Sequence, residues 1–299
     1  MYLHLKKTSF YYKLIISILA ILSFSNIKST KAFVPYIYEP NLNALNNTAI
    51  SIGQTAVQIL QLNQPEEAIR LSELAISIQP KDYRLWAILG ESQKQSGLLK
   101  EADISLSKAI SINSNKASLW FAHGTLAIQR KQPNQAIFLL KKGLQLEPKN
   151  PIAYFQIGNA EFMQLKLKKA LKSYEKALSM KSDFWESLNN KGLILFEMGK
   201  EKEAIKAWQK VIIISRNSEP LLALAAALYK NSTTQEAAIK LAKESLDKNP
   251  NYVSATHQKE QLWGNRLISA TKELLAEPKL SREVERALAN SDSESIIPQ

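Results

Sequence analysis

The amino-acid sequence predicts an all-α protein in which two-helix hairpins stack into a solenoid. Three observations carry this. Small residues recur every 34 positions, at Ala56, Gly90, Gly124, Gly158, Gly192 and Ala226, and a column of six alanines follows twelve residues later, at Ala68, Ala102, Ala136, Ala170, Ala204 and Ala238. A large apolar residue stands four positions ahead of each small one, at Ile52, Trp86, Trp120, Tyr154, Leu188 and Leu222. Finally, only 9 glycines and 11 prolines interrupt 299 residues otherwise rich in Ala, Leu, Lys, Glu and Gln, all good helix formers.

The first element is a targeting segment, residues 1–32. Lys6, Lys7 and Lys13 form a basic flank, Leu14 to Phe24 is an apolar stretch, and small residues follow at Thr30 and Ala32. That order is the pattern of a secretory signal with cleavage after Ala32. The apolar run is shorter than the ~20 residues a spanning helix needs. Lengthened to Phe10–Ile27 it reads instead as a retained membrane anchor. Either way the sequence predicts a protein that is exported or membrane-anchored, in the periplasm or, in a photosynthetic host, at the thylakoid. Residues 33–48, with Pro35, Pro40 and four asparagines, read as a linker.

Six hairpins follow, at 49–82, 83–116, 117–150, 151–184, 185–218 and 219–252, with no insertion. Where two helices cross, only a small residue lets the backbones approach, which accounts for Gly90 on the first helix and Ala102 on the second. A further column of mostly small residues runs Ala75, Ala109, Gly143, Ala177, Val211 and Ser245. Gly97, Pro133 and Gly199 break the chain between the helices of a hairpin, and Pro80, Pro148 and Pro250 stop the second helix. A lone hairpin cannot bury its apolar face, so neighbours must stack. Residues 253–290 are expected to cap the array. Val253, Leu262, Trp263, Leu267, Ile268 and Leu274 belong to one helix over 253–277 that covers the last hairpin. Pro278 ends it, a short helix spans Ser281 to Ala289, and 291–299 is a disordered tail.

The repeat resembles the tetratricopeptide family. Trp86-Ala-Ile-Leu89-Gly90 reproduces its W-x-x-L-G element, with Gln93 where tyrosine is usual. The resemblance covers about two-thirds of the chain. It implies a right-handed superhelical solenoid whose first helices line a concave groove, with positions 2, 5, 9, 12 and 13 of each unit pointing into it. In units three to five these positions include Phe121, Thr125, Ile128, Ile152, Phe155, Asn159, Phe162, Met163, Asn189, Leu193 and Phe196. Apolar side chains separated by amides suit an extended peptide or a helix of another protein. The lysine clamp of the chaperone-binding subset is absent, since position 5 holds Gly53, Ala87, Phe121, Phe155, Asn189 and Ala223.

The chain shows no sign of catalysis. It has no cysteine, and none of its three histidines, His4, His123 and His257, has a second histidine nearby in sequence. Nucleotide-binding, zinc-hydrolase and serine-hydrolase motifs are missing. No cofactor, metal or nucleic acid is called for. The net charge is +12, of which residues 1–32 hold five lysines and no acid. The remaining +7 suits an anionic lipid, an acidic partner, or simply a soluble surface. The function expected is a scaffold that binds another protein in its groove during assembly of a membrane complex, and that touches the membrane through residues 1–32 if these are uncleaved. The layout is similar to cyanobacterial and plastid tetratricopeptide proteins that support photosystem or pigment-enzyme assembly. The alternative is a regulatory subunit of an envelope enzyme, in cell-wall synthesis or glycosyl transfer.

Overall fold

Helix follows helix from Leu42 to Ser291, the residues described by the computed structural model. The targeting segment 1–32, the linker residues 33–41 and the tail residues 292–299 lie outside the described residues. Residues 45–291 belong to one unit. Its first helices are α1 (Leu42–Gln61), α3 (Tyr83–Gln95), α5 (Ala117–Gln129), α7 (Pro151–Met163), α9 (Trp185–Glu197) and α11 (Ser218–Tyr229). The second helices are α2 (Pro65–Ile78), α4 (Leu99–Ile112), α6 (Pro133–Leu146), α8 (Leu167–Met180), α10 (Glu201–Ile214) and α12 (Gln235–Lys248). Each second helix begins 34 residues after the one before it.

Residues 42–48, expected as linker, are the start of α1. The reason is visible in the spacing. Leu45 lies four residues before Ala49 and seven before Ile52, so the apolar stripe continues backwards, and no proline intervenes until Pro65. Pro65, Pro133 and Pro151 sit in the first turn of α2, α6 and α7, where the missing N–H costs nothing. Pro133 therefore opens a helix rather than forming the turn itself. Asp82 and Asn150 cap α3 and α7 by accepting from Arg84 N at 2.8 Å and Ala153 N at 2.9 Å. The turn inside each of the first five hairpins holds one left-handed residue, again every 34 positions: Asn63, Gly97, Lys131, Leu165 and Gly199, with φ between 56° and 80°. Glycine takes that conformation without the Cβ conflict that a lysine or leucine bears there.

Within a hairpin, the small residue of the first helix is matched to a residue sixteen positions on. A Cβ built at Gly90 would stand 2.8 Å from Leu106 Cγ, one at Gly124 2.7 Å from Leu140 Cγ, and one at Gly192 2.6 Å from Trp208 Nε1. At Gly158 it would run into Tyr174 Cε1. In the end units the same pairs are Ala56 with Ser72 and Ala226 with Ala242. Added volume on one helix is thus offset by removed volume on the other, as close-packed interiors require. Leu106, Leu140, Tyr174 and Trp208 are fully buried.

Neighbouring units are joined by the tryptophans of the large column. Trp86 Nε1 donates to the Pro80 carbonyl and Trp120 Nε1 to the Ser114 carbonyl, each at 2.8 Å, tying a first helix to the turn that precedes it. Neighbouring first helices also lie against one another, α3 on α5 and α5 on α7, so they line the inner face and the second helices face outward.

The C-terminal region departs from the single helix expected over 253–277. A 3₁₀ turn (Pro250–Val253) leads into α13 (Ala255–Glu260), then α14 (Asn265–Leu275), a second 3₁₀ turn (Pro278–Leu280) and α15 (Ser281–Ser291). The chain breaks after Glu260 because Leu262 is left-handed (φ 64°) and Gly264 is extended. The residue numbered 291, expected as tail, ends α15. The α14 helix does not cover the outer side of the last hairpin; it lies on α9 and α11, the inner helices of units five and six. That outer position is taken by α15, which packs on α12 and the 250–253 turn.

Candidate binding groove

The expected groove residues divide sharply. Ile152 is exposed at 59%, and Thr125 and Met163 are half-buried. Thr125 spends its hydroxyl on the Phe121 carbonyl, 3.0 Å away on its own helix. Phe121 lies over Gly143 of α6, and Ile128 packs among α6 and α7 side chains. Phe155 packs on Tyr174 and Phe184, with ring centroids 5.8 and 5.1 Å apart. Phe121 therefore faces the hairpin's own second helix, in the room that Gly143 leaves, and Phe155 lies partly against Tyr174 of its own second helix. Phe162, Leu193, Phe196 and Asn189 are buried, at 4%, 0%, 5% and 1%. The four phenylalanines do not form one exposed concave face.

Leu193 and Phe196 are buried among the neighbours of α14. The carboxylate of Glu197, at the end of α9, accepts from Leu267 N at 3.0 Å and Arg266 N at 3.3 Å. It thus caps the start of α14 from a different helix, satisfying amides that no residue of α14 satisfies. Gly264 permits the approach, because a Cβ there would overlap the Glu197 side chain. Arg266 donates to the Phe196 carbonyl at 3.1 Å and to Glu201 at 2.9 Å, and its guanidinium lies over the Phe196 ring. Trp263 Nε1 donates to Glu219 at 3.0 Å. Leu267, Ala270 and Leu274 point inward and are buried. The C-terminal arm is an amphipathic helix seated in the inner face of units five and six.

Beside the arm a pocket of about 220 Å³ brings three expected residues together, Phe155, Asn159 and Asn189. Trp185, Asn190 and Glu219 complete its wall, with Leu262 of the arm. Asn159 Oδ1 accepts from Tyr174 Oη at 2.8 Å and Asn190 Nδ2 at 3.0 Å. Glu219 was not expected. Burial pushes its pKa up to about 7, against the pull of hydrogen bonds from Trp263 and Asn189. Its folded pKa lies above the ~4.3 of a free glutamate, so its contribution to stability is complete at low pH and is lost as pH rises through about 7. Glu219 keeps some solvent contact, which makes the effect smaller than full burial would give. We expect amide-exchange protection of α14 to fall between about pH 5 and 7.5, and to stay flat in Glu219→Gln. An identical pH profile in that variant refutes the assignment.

The groove is open at its other end. Ile50, Val57, Gln58 and Gln61 of α1 and Arg84 and Ile88 of α3 line a hollow of about 420 Å³. These are positions 2, 6, 9, 10 and 13, which turn inward. His123 serves the fold: it is buried, and its Nε2 lies 2.7 Å from Asp103 Oδ1, which also pairs with Arg130. Among the described residues no group of three or more His, Asp or Glu is placed to hold a metal.

Comparison with known proteins agrees with this architecture. Residues 83–116, 117–150 and 155–220 match tetratricopeptide-repeat profiles. Human protein O-mannosyl-transferase TMTC3 is 27% identical over 223 residues, covering 72% of this chain and 23% of that protein. The chain thus spans less than a quarter of the length of the curated relatives it matches. Among solved structures, PilF of Pseudomonas aeruginosa superposes with a TM-score of 0.62 at 18% identity, covering 73% of this chain and 98% of that one. PilW, described as a widely conserved type IV pilus biogenesis factor, gives 0.58 at 17%, covering 74% and 97%. These two share the fold.

Proposed function

We propose that this chain, which carries tetratricopeptide repeats and has the fold of a protein-interaction scaffold, holds a helical or extended segment of a partner protein in the inner groove of units one to four, in assembly of a membrane complex. The observation that carries the reading is the arm itself. Units five and six already accept an amphipathic helix on their inner face, and units one and two present an open, apolar and amide-lined continuation of that surface. The apolar residues 14–24 support work at a membrane or beyond it. Photosystem or pigment-enzyme assembly is the form this takes in a photosynthetic host.

A second reading, a subunit regulating a glycosyl-transfer or cell-wall enzyme of the envelope, draws on the match to human O-mannosyl-transferases. Capture of the full chain from host membranes separates the two, recovering pigment or photosystem proteins in one case and envelope enzymes in the other.

With the purified partner, Val57→Asp and Ile152→Asp should each weaken binding by more than about 1 kcal/mol. Both side chains are exposed, at 37% and 59%, so melting should be unchanged. Leu74→Asp, exposed on α2 and outward-facing, should leave binding intact. Undiminished binding by both inner variants would exclude the groove.

A further inference from the structure

The outer face of units two to five carries charge that the fold does not use. On α8, Lys168, Lys172 and Lys176 stand four residues apart and share one outward ridge. The same ridge on α10 is Lys202, Lys206 and Lys210. On α4 it is Lys100, Ile104 and Lys108, and on α6 Asn134, Phe138 and Lys142. All twelve side chains are exposed, nine of them are lysines and none is acidic. None of these nine lysines makes an ion pair among the described residues.

The flanking units differ. The corresponding row is Glu66, Arg70 and Leu74 on α2, and Glu236, Lys240 and Glu244 on α12. Those acids have partners: Glu66 accepts from Ser96, Glu236 pairs with Lys279 and Glu244 with Arg216. A surface that serves only solubility mixes signs, with acids set four residues from lysines. On α8 and α10 like charges are stacked at that spacing, which weakens both helices, and the same row on α4 and α6 adds three further lysines and no acid.

We propose that the outer ridge of α4, α6, α8 and α10 is a docking surface for an anionic phospholipid membrane. The chemistry favours that occupant over a nucleic acid. The ridge has lysine and no arginine, so it offers hydrated point charges without the planar fork that grips a fixed phosphate. A fluid sheet of headgroups needs only the charge. Ile104 and Phe138, exposed at 67% and 57% among the lysines, are of the kind that enters the boundary between headgroup and acyl chain. This surface is separate from the inner groove, and the proposal stands whether or not the groove binds a partner.

The test is co-sedimentation of the full chain with phosphatidylcholine vesicles, with and without about 30% phosphatidylglycerol. Wild type should bind the anionic vesicles at least about tenfold more tightly than the neutral ones, and the difference should shrink with salt. Replacing Lys142, Lys168, Lys172 and Lys176 by glutamine should lower anionic binding at least about tenfold and leave neutral binding, where residues 1–32 contribute equally in all variants, unchanged. The same charge removed from Lys81, Lys116, Lys259 and Lys272 should cost less than about threefold. Melting curves of both variants should match wild type. Equal losses in the two variants, or no preference for anionic vesicles, overturn the proposal. Duplex DNA or polyglutamate bound through the ridge lysines in the absence of any vesicle preference overturns it as well, and assigns the ridge to that polyanion.

Discussion

Gly158→Ala is expected to destabilise the array by about 1–3 kcal/mol, a large effect for one methyl group. The new Cβ would collide with the ring of Tyr174, which is fully buried, also touches Phe155, and has its hydroxyl bonded to Asn159. The ring can yield only at the expense of these contacts. Tyr174→Ala alone should cost about 3–5 kcal/mol through the cavity it leaves. In the double variant the methyl enters that cavity and recreates the Ala226 with Ala242 pairing of unit six. The two losses should therefore not add, and a double-mutant cycle should give a coupling of at least about 1 kcal/mol in favour of the pair. Gly158→Leu should abolish cooperative melting across units three to five. Additive losses, or an unchanged melting temperature for Gly158→Ala, would show that the pair is not packed as described.

Leu267→Ala together with Leu274→Ala should release the C-terminal arm. Both side chains are fully buried against the inner helices, and such truncations cost about 2–5 kcal/mol each. The arm also depends on polar contacts that are strong only while it is seated: Glu197 on the amides of α14, Arg266 on Glu201, and Trp263 on Glu219. Hydrogen exchange should show lost protection over residues 255–291 and on the inner sides of α9 and α11, with units one to four unaffected. Dye binding should rise as Leu193 and Phe196 come into contact with water. A single global loss of protection, uniform from α1 to α15, would mean that the arm is inseparable from the repeats.

The hairpin period was legible because steric need repeats. Every crossing demands a small residue, which leaves a mark at fixed spacing from Ala56 to Ala226, whereas the left-handed turn residues of the first five hairpins left one only where they are glycine, at Gly97 and Gly199. The groove was less legible because direction is a property of packing. Phe121 and Phe155 look like anchors in the sequence, but Gly143 opens room on the opposite helix for the Phe121 ring, and the Phe155 ring packs on Tyr174 and Phe184. The break in the arm was missed for a similar reason. Leu262, Trp263, Leu267 and Leu274 fit a helical spacing well enough to suggest one rod, while the break at Leu262 and Gly264 depends on contacts with Glu197 and Glu219, which are 65 and 43 residues away from it in sequence. The two glutamates had no signature of their own. The outward lysine rows were present in the sequence but became meaningful only once α4, α6, α8 and α10 were known to share the outer side.

The seating of α14 and α15 also gives the molecule a polarity. A stack of like hairpins presents a sticky edge at each end, and an edge that fits the opposite end of another copy propagates head to tail into a fibre. At the C-terminal end that edge is already occupied: α15 lies on α12 and the 250–253 turn, and Lys243 and Asp247 of α12 are paired with Glu283 and Arg286 of α15. A second copy that stacked on α12 at that end would first have to displace α15.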